Sequence, residues 1–299
     1  MNWKILIRQF QNYLRLERGL SPNSVEAYVR DVIKLRQFLE ISNSTQSAFD
    51  LKLSDLNKFV NYLGELHASE YSQARIVSGI KAFFRYLMEE RLIQDDPTEL
   101  LEPPKIGRKL PDTLAYEEVD AILKGIDLST PEGTRNRAMI EVLYSSGLRV
   151  SELINLHLSH VYFDLGFLKV LGKGNKERLV PIGREALKFV KTYVEHDRAN
   201  LNIKKGHEHI VFLNRRGAQL TRAMIFTIVK NAAAFVDISK NVSPHTFRHS
   251  FATHLIEGGA NLRAVQEMLG HESILTTEIY THLDRDFLRQ TLTEFHPRS

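Results

Sequence analysis

The sequence predicts a mainly α-helical protein: an N-terminal helical bundle, then a mostly helical second domain with a small antiparallel β-sheet. Three observations lead there. Four amphipathic helical periods fill the first hundred residues. A proline-bounded, basic, non-periodic stretch, Glu102 to Pro111, follows them and marks a linker. Beyond it, helical periods resume around short β-prone runs that flank glycine-rich turns. With 299 residues, 43% hydrophobic and 25% charged, the chain suits two domains of ordinary globular composition. We place the boundaries at 1–103 for the bundle, 104–112 for the linker and 113–299 for the second domain.

Residues 3–17 carry Leu6, Phe10, Tyr13 and Leu14 at helical spacing. Gly19-Leu20 interrupts, and Ser21-Pro22 starts a second helix to about Glu40, a side-chain cap followed by a proline at the first helical position. The polar, serine-rich stretch Ile41 to Asp50 reads as a loop. Leu53 to His67 is a third helix, and Tyr71 to Arg91 a fourth, with Ile76, Ile80, Phe83, Phe84 and Leu87 on its buried side. Arg75, Lys81 and Arg85 are spread along that last helix; DNA contact and a solvated face explain them about equally.

In the second domain, Tyr116 to Gly125 and Thr134 to Ser146 are helical, and Gly147 stops the latter. Arg149 follows in the turn, and Ser151 caps a helix beginning Glu152-Leu153, which puts a carboxylate three residues from the arginine it can orient. Phe167–Leu171 and Arg178–Ile182 form a hairpin with Lys173 at its tip. Its turn, Gly-Lys-Gly-Asn-Lys-Glu, lacks Walker A spacing, so a nucleotide cofactor is unsupported. Ile210–Leu213 and Ala218–Leu220 suggest a second small hairpin with Arg215 and Arg216 at its turn, and Thr221 caps a helix to about Phe235. Ser243-Pro244 starts a helix that Gly258-Gly259 closes. Gly270 ends a short helix, leaving His271 in the following turn, and Thr276 and Thr277 offer caps for a last helix bearing Tyr280.

The chemistry concentrates between Ser243 and His282. His245 and Arg248, three apart, project from one face near the positive end of a helix dipole. That position favours a neutral imidazole, and the guanidinium suits a phosphate. His245 and His249 are four apart but lack the glutamate of the zincin motif, so no metal is expected. His249, His254 and His282 read as support. The chain has no cysteine, which excludes disulfides, zinc–thiolate sites and thiol nucleophiles. A net charge of +4 and a pI near 9.1 lean mildly toward a polyanionic partner. No run has the length of a membrane span, and Met1-Asn2-Trp3-Lys4 shows no signal-peptide architecture, so the expected compartment is the cytoplasm, with no membrane partner.

Several strings carry a resemblance. They are Ser-Gly-Leu-Arg-Val-Ser-Glu-Leu around Arg149, Gly-Lys-Gly-Asn-Lys-Glu-Arg-Leu-Val-Pro around Lys173, and Ser-Pro-His-Thr-Phe-Arg-His-Ser-Phe-Ala-Thr-His-Leu around His245 and Arg248. Leu-Gly-His-Glu-Ser at His271 and Thr-Thr-Glu-Ile-Tyr-Thr-His-Leu at Tyr280 complete the set. In this order they resemble the tyrosine site-specific recombinases, the phage integrase family, and in detail the bacterial Xer branch. The resemblance spans nearly the whole chain and implies a SAM-like core-binding fold for the bundle. It implies a metal-, cofactor- and ATP-independent DNA strand transfer through a 3′-phosphotyrosyl intermediate, serving the resolution of chromosome or plasmid dimers at cell division. Tyr280 would be the nucleophile, His245 the base, Lys173 the acid, with Arg149, Arg248 and His271 on the phosphate oxygens and Glu152 holding Arg149. The implied partners are duplex DNA with a dif-like site, a sister recombinase of the XerC type in a tetramer on that DNA, and a septal translocase of the FtsK type. A mobile-element integrase and the XerC-type partner itself stay open, as does a catalytically silent architectural protein. Leu283, Phe287, Leu288 and Leu292 make an apolar stripe after Tyr280; the resemblance implies docking on a neighbouring protomer, the alternative being packing on its own domain.

Overall fold

A computed structural model describes residues 2–105, 107, 112–172, 177–270 and 282–298. The chain divides into two compact units, Met1–Lys109 and Leu110–Ser299.

The first unit holds α1 (Trp3–Leu16), α2 (Pro22–Ile41), α3 (Leu53–Glu65) and α4 (Glu70–Glu89). Side-chain oxygens of Asn2, Ser21 and Ser69 accept from backbone N–H groups at the starts of α1, α2 and α4. The apolar stripes close on an aromatic core in which Phe10 meets Phe83 edge to face at 5.2 Å. α3 and α4 end two residues before the sequence suggests. His67 and Arg91 adopt φ of +55° there, and the N–H groups of Ala68 and Leu92 reach back to the carbonyls of Leu63 and Leu87. These are Schellman-type stops made without glycine, which is why the pattern did not flag them. α2 and α4 pack over Asp31, which is fully buried. Arg75 spans both its carboxylate oxygens at 2.7 and 2.6 Å. A Cβ at Gly79 would lie 2.4 Å from Asp31 Oδ2, so only glycine fits above the pair. Arg75, expected on DNA, is thus tied to a buried carboxylate.

The second unit contains α5 (Tyr116–Lys124), α6 (Pro131–Ser146), α7 (Val150–Ile154), β1 (Val161–Tyr162), β2 (Phe167–Leu171), β3 (Glu177–Pro181), α8 (Arg184–Thr192), α9 (Arg222–Phe235), α10 (Pro244–Gly258), α11 (Leu262–Leu269) and α12 (His282–Phe295). The strands form an antiparallel sheet in the order β1-β2-β3, with Leu168 opposite Val180 and Val170 opposite Arg178. α6 is buried from Gly133 to Ser146 except at half-buried Asn136 and is the axis of the domain. It begins three residues before the sequence suggests, on a Thr130 cap and Pro131, because Gly133 is helical. A Cβ there would lie 1.7 Å from the Asp127 carbonyl oxygen, so that glycine marks a close approach and not a loop.

Three further expectations are corrected. The cap of α7 is Arg149, not Ser151: the Glu152 carboxylate accepts from the Arg149 backbone N–H at 2.8 Å and sets the helix start one residue upstream of Ser151. The second small hairpin is a turn with a single bridge, Leu213 to Gln219, because Asn214 Oδ1 takes the N–H groups of Arg216 and Ala218. Of the terminal stripe, Leu288 and Leu292 pack on their own domain, buried with Phe251, Leu255 and Met268, while Phe287 is exposed. Past α12, buried His296 meets the Tyr144 carbonyl, and Arg298 bridges Glu141 and Asp120. Among the described residues no helix is long and apolar enough to cross a membrane.

Candidate active site

The site is built on the C-terminal end of α11. The last carbonyls of any helix have no partner within it and form the negative end of its dipole. Here three successive ones receive three different arginines. Arg178 Nε donates to Met268 O at 3.1 Å, Arg248 Nη2 to Leu269 O at 2.7 Å, and Arg149 Nη2 to Gly270 O at 3.1 Å. Arg248 also donates through Nη1 to Gly147 O at 2.6 Å, at the C-terminus of α6. Both glycines are required. Gly147 has φ +59°, and its Cβ would lie 2.5 Å from the Phe251 ring. Gly270 has φ +64°, and its Cβ would lie 2.9–3.1 Å from Arg178.

Glu152 is the one carboxylate among them in the described residues. It is buried and accepts the Arg178 fork at 2.8 and 3.0 Å, Arg149 Nη1 at 3.0 Å and the Arg149 backbone N–H at 2.8 Å. Burial pushes its pKa up, but the Arg178 hydrogen bonds and charge, with the Arg149 N–H and charge, outweigh it and hold the carboxyl below its ordinary value. Arg248 is pushed down to about 10, first by burial and then by the Arg149 charge, and stays protonated at neutral pH. Among the described residues three guanidinium groups stand against one carboxylate, a formal charge of 3 − 1 = +2 in a largely buried setting. Arg149 is the open member, its side chain 35% exposed against 7% for Arg178. Guanidinium groups anchored on carbonyls at fixed angles suit the cluster to an anion of phosphate type.

His245 sits in the first turn of α10, exposed, behind the Ser243 cap. Loss of hydration, then the neighbouring His249, Arg248 and Arg149, lower its pKa and favour the neutral ring that can accept a proton. Phe226 lies 6.2 Å from the ring.

The structure thus brings together Arg149, Glu152, His245 and Arg248. Lys173, His271 and Tyr280 lie outside the described residues. His254 donates to or accepts from Tyr144 Oη at 2.7 Å, a supporting contact. Arg215 and Arg216 are exposed in the Asn214 turn; in the first unit Arg85 is exposed and Lys81 half-buried. Sequence reasoning missed Arg178. Its signal was present: on β3 it shares the inward phase with Val180, a charged residue where alternation demands an apolar one.

A mostly helical domain with a small sheet holds clustered arginines at helix ends beside a histidine whose lowered pKa favours the neutral ring, an arrangement suited to phosphate chemistry. The chain belongs to the phage integrase family: the "Phage integrase family" model matches residues 112–286, and the "Phage integrase, N-terminal SAM-like domain" model matches residues 7–91. It is 44% identical over 98% of its length, and 99% of the relative's, to tyrosine recombinase XerD of Staphylococcus saprophyticus, and 43% identical, covering 98% of both, to XerD of Halalkalibacterium halodurans. Among solved structures it is similar to XerH bound to its difH substrate before cleavage (TM-score 0.68, 25% identity, 95% of this chain and 83% of that one). A lambda integrase dimer bound to a core site shares the fold (TM-score 0.72, 18% identity, 93% and 100%).

Proposed function

We propose that this chain is a site-specific DNA recombinase of the XerD kind, which cuts and rejoins duplex DNA through a 3′-phosphotyrosyl intermediate and resolves chromosome or plasmid dimers at cell division. The observation that carries it is the set of arginines held by the end of α11, which share a single carboxylate, Glu152, among the described residues. In this reading the Tyr280 oxygen attacks the scissile phosphorus and the bond to the 5′ oxygen breaks. His245 takes the phenol proton, needed because a free phenol has a pKa near 10. Lys173 delivers a proton to the departing 5′ oxygen. Arg149 and Arg248, joined by His271, stabilise the charge that builds on the non-bridging oxygens, a task metal ions perform in other nucleases. Glu152 keeps Arg149 aimed. Because the bond energy stays in the phosphotyrosine, a 5′-hydroxyl from another strand reverses the step without ATP or cofactor.

Duplex DNA carrying a dif-like site is the substrate. The bundle, residues 1–103, grips it across the linker 104–112 from the catalytic domain 113–299, with Lys81, Arg85, Arg215 and Arg216 on the phosphate backbone. A sister recombinase of the XerC type completes a tetramer on the DNA, a septal translocase of the FtsK type activates it, and the work is done in the cytoplasm. The deciding experiment is incubation with a nicked suicide duplex followed by a denaturing gel. A protein–DNA adduct, insensitive to chelator and absent in Tyr280→Phe, is expected. No adduct on any dif-like duplex, alone or with a sister recombinase, refutes the catalytic reading.

A further inference from the structure

Arg178 has no part in the chemistry set out above, yet its contacts join two of the elements that hold the arginine pair, α7 through Glu152 and the end of α11 through Met268. It stands on β3 with only 7% of its side chain exposed. Its fork takes both oxygens of Glu152, the carboxylate that receives the Arg149 side chain and backbone. Its Nε takes the Met268 carbonyl, next to the carbonyls that anchor Arg248 and Arg149. Gly270, with a Cβ position 2.9 Å from Arg178 Nε, leaves room for it and gives its own carbonyl to Arg149.

We infer that Arg178 is a positioning residue for strand cleavage: it locks Glu152 and the end of α11 into one unit and through them aims the Arg149 and Arg248 guanidiniums at the scissile phosphate. Geometry excludes a simple charge-balancing role. Glu152 is already paired by Arg149 through its side chain, and Arg178 adds a third positive charge where the described residues supply one negative charge. What Arg178 supplies is three fixed N–H directions shared between two elements. A lysine has the charge but cannot span both carboxylate oxygens and a carbonyl in one plane.

This inference rests on the proposed role of Arg149 and Arg248, and the test separates the two. Wild type and Arg178→Lys are compared in single-turnover adduct formation on two nicked duplexes. One carries the natural phosphodiester at the scissile position, the other a methylphosphonate, which lacks the negative charge the arginines neutralise. On the diester, Arg178→Lys should fall about 10- to 100-fold, the range for partners that orient a reactive group, at unchanged DNA affinity. On the methylphosphonate the loss should shrink to about threefold or less, because a misaimed charge clamp no longer matters. An equal loss on both substrates overturns the inference and leaves Arg178 a stability residue. If wild type leaves the methylphosphonate uncut, the combination of Arg178→Lys with Glu152→Gln decides on the diester. A shared route gives a loss no larger than the greater single one, whereas a product of the two overturns it. Should Arg178→Lys fail to fold, Gly270→Ala, which presses on Arg178 from the other side, takes its place in the same comparison. A wild type that makes no adduct on the diester defeats the proposed function itself; an adduct with equal losses defeats this inference alone.

Discussion

Replacing Glu152 by glutamine tests whether the carboxylate is the electrostatic keystone of the domain. Glu152 accepts four hydrogen bonds, three from guanidinium N–H groups, while buried. The substitution keeps the shape, removes the charge and turns an NH2 toward donors that cannot accept from it. It also raises the formal charge of the cluster from +2 to +3. Removing one partner of a buried ion pair destabilises by about 3–5 kcal/mol. For a domain the size of Leu110–Ser299 each kcal/mol lowers Tm by about 2–4 °C, so a fall of roughly 6–20 °C is expected in scanning calorimetry. The pH dependence sharpens the test. The folded pKa of Glu152 lies below its ordinary value, so the unfolded chain binds the proton first. Its contribution is therefore full above about pH 4.5 and is lost as pH falls through the folded value. Wild type and Glu152→Gln should differ by a constant amount between pH 6 and 8 on the order of those few kcal/mol and converge in acid. A Tm shift under about 2 °C, or a gap that persists undiminished in strong acid, would refute the reasoning.

Arg248→Lys loses the simultaneous grip on Gly147 O and Leu269 O, and adduct formation should drop about 10³- to 10⁵-fold in single-turnover assays while duplex binding is kept. Arg75→Ala leaves Asp31 buried without its fork and should destabilise the first unit by about 3–5 kcal/mol in urea titrations. Arg85→Ala should instead keep stability and reduce the salt slope of DNA binding by about one. His296 is lowered to about 3 chiefly by burial, so the unfolded state takes its proton first and stability falls as pH drops from about 6.5 toward 3; His296→Asn should flatten that part of the wild-type curve.

Much of this was legible before any coordinate. The helices followed from their stripes, and Ser21-Pro22 and Ser243-Pro244 fixed two starts to the residue. Arg149, Glu152 and His245 could be picked out because each sits at a helix start, where dipole and cap chemistry act, and Arg248 because it lies three residues on from His245 on the same face. The misses have physical causes. Gly133 reads as a breaker until the Asp127 carbonyl is seen against it. His67 and Arg91 end helices in a conformation the side chains do not announce. Arg75 looks like one more solvated cation unless the buried Asp31, 44 residues earlier, is known to face it. Arg178 is the instructive case. Strand alternation exposes it as a charge on the buried phase, but nothing local shows that its partners lie 26 and 90 residues away. Local periodicity reports which face is buried, not what is waiting there.

Anchoring the arginines on carbonyl groups rather than carboxylates has a consequence for the chemistry. A guanidinium paired with a carboxylate is positioned and neutralised together; one held by carbonyl dipoles is positioned and keeps its charge. Among the described residues Arg248 is held by two carbonyls, and Arg149 by one carbonyl and a share of Glu152. The cluster can therefore be preorganised and still present net positive charge to a phosphate, which is what stabilising a developing oxyanion requires. The strain of holding like charges together shows in the lowered pKa of Arg248, to which Arg149 contributes after burial. A bound phosphate relieves that repulsion. The same logic explains the glycines: only Gly147 and Gly270 let the ends of α6 and α11 come close enough for their carbonyls to share Arg248 and Arg149 without a Cβ striking Phe251 or Arg178.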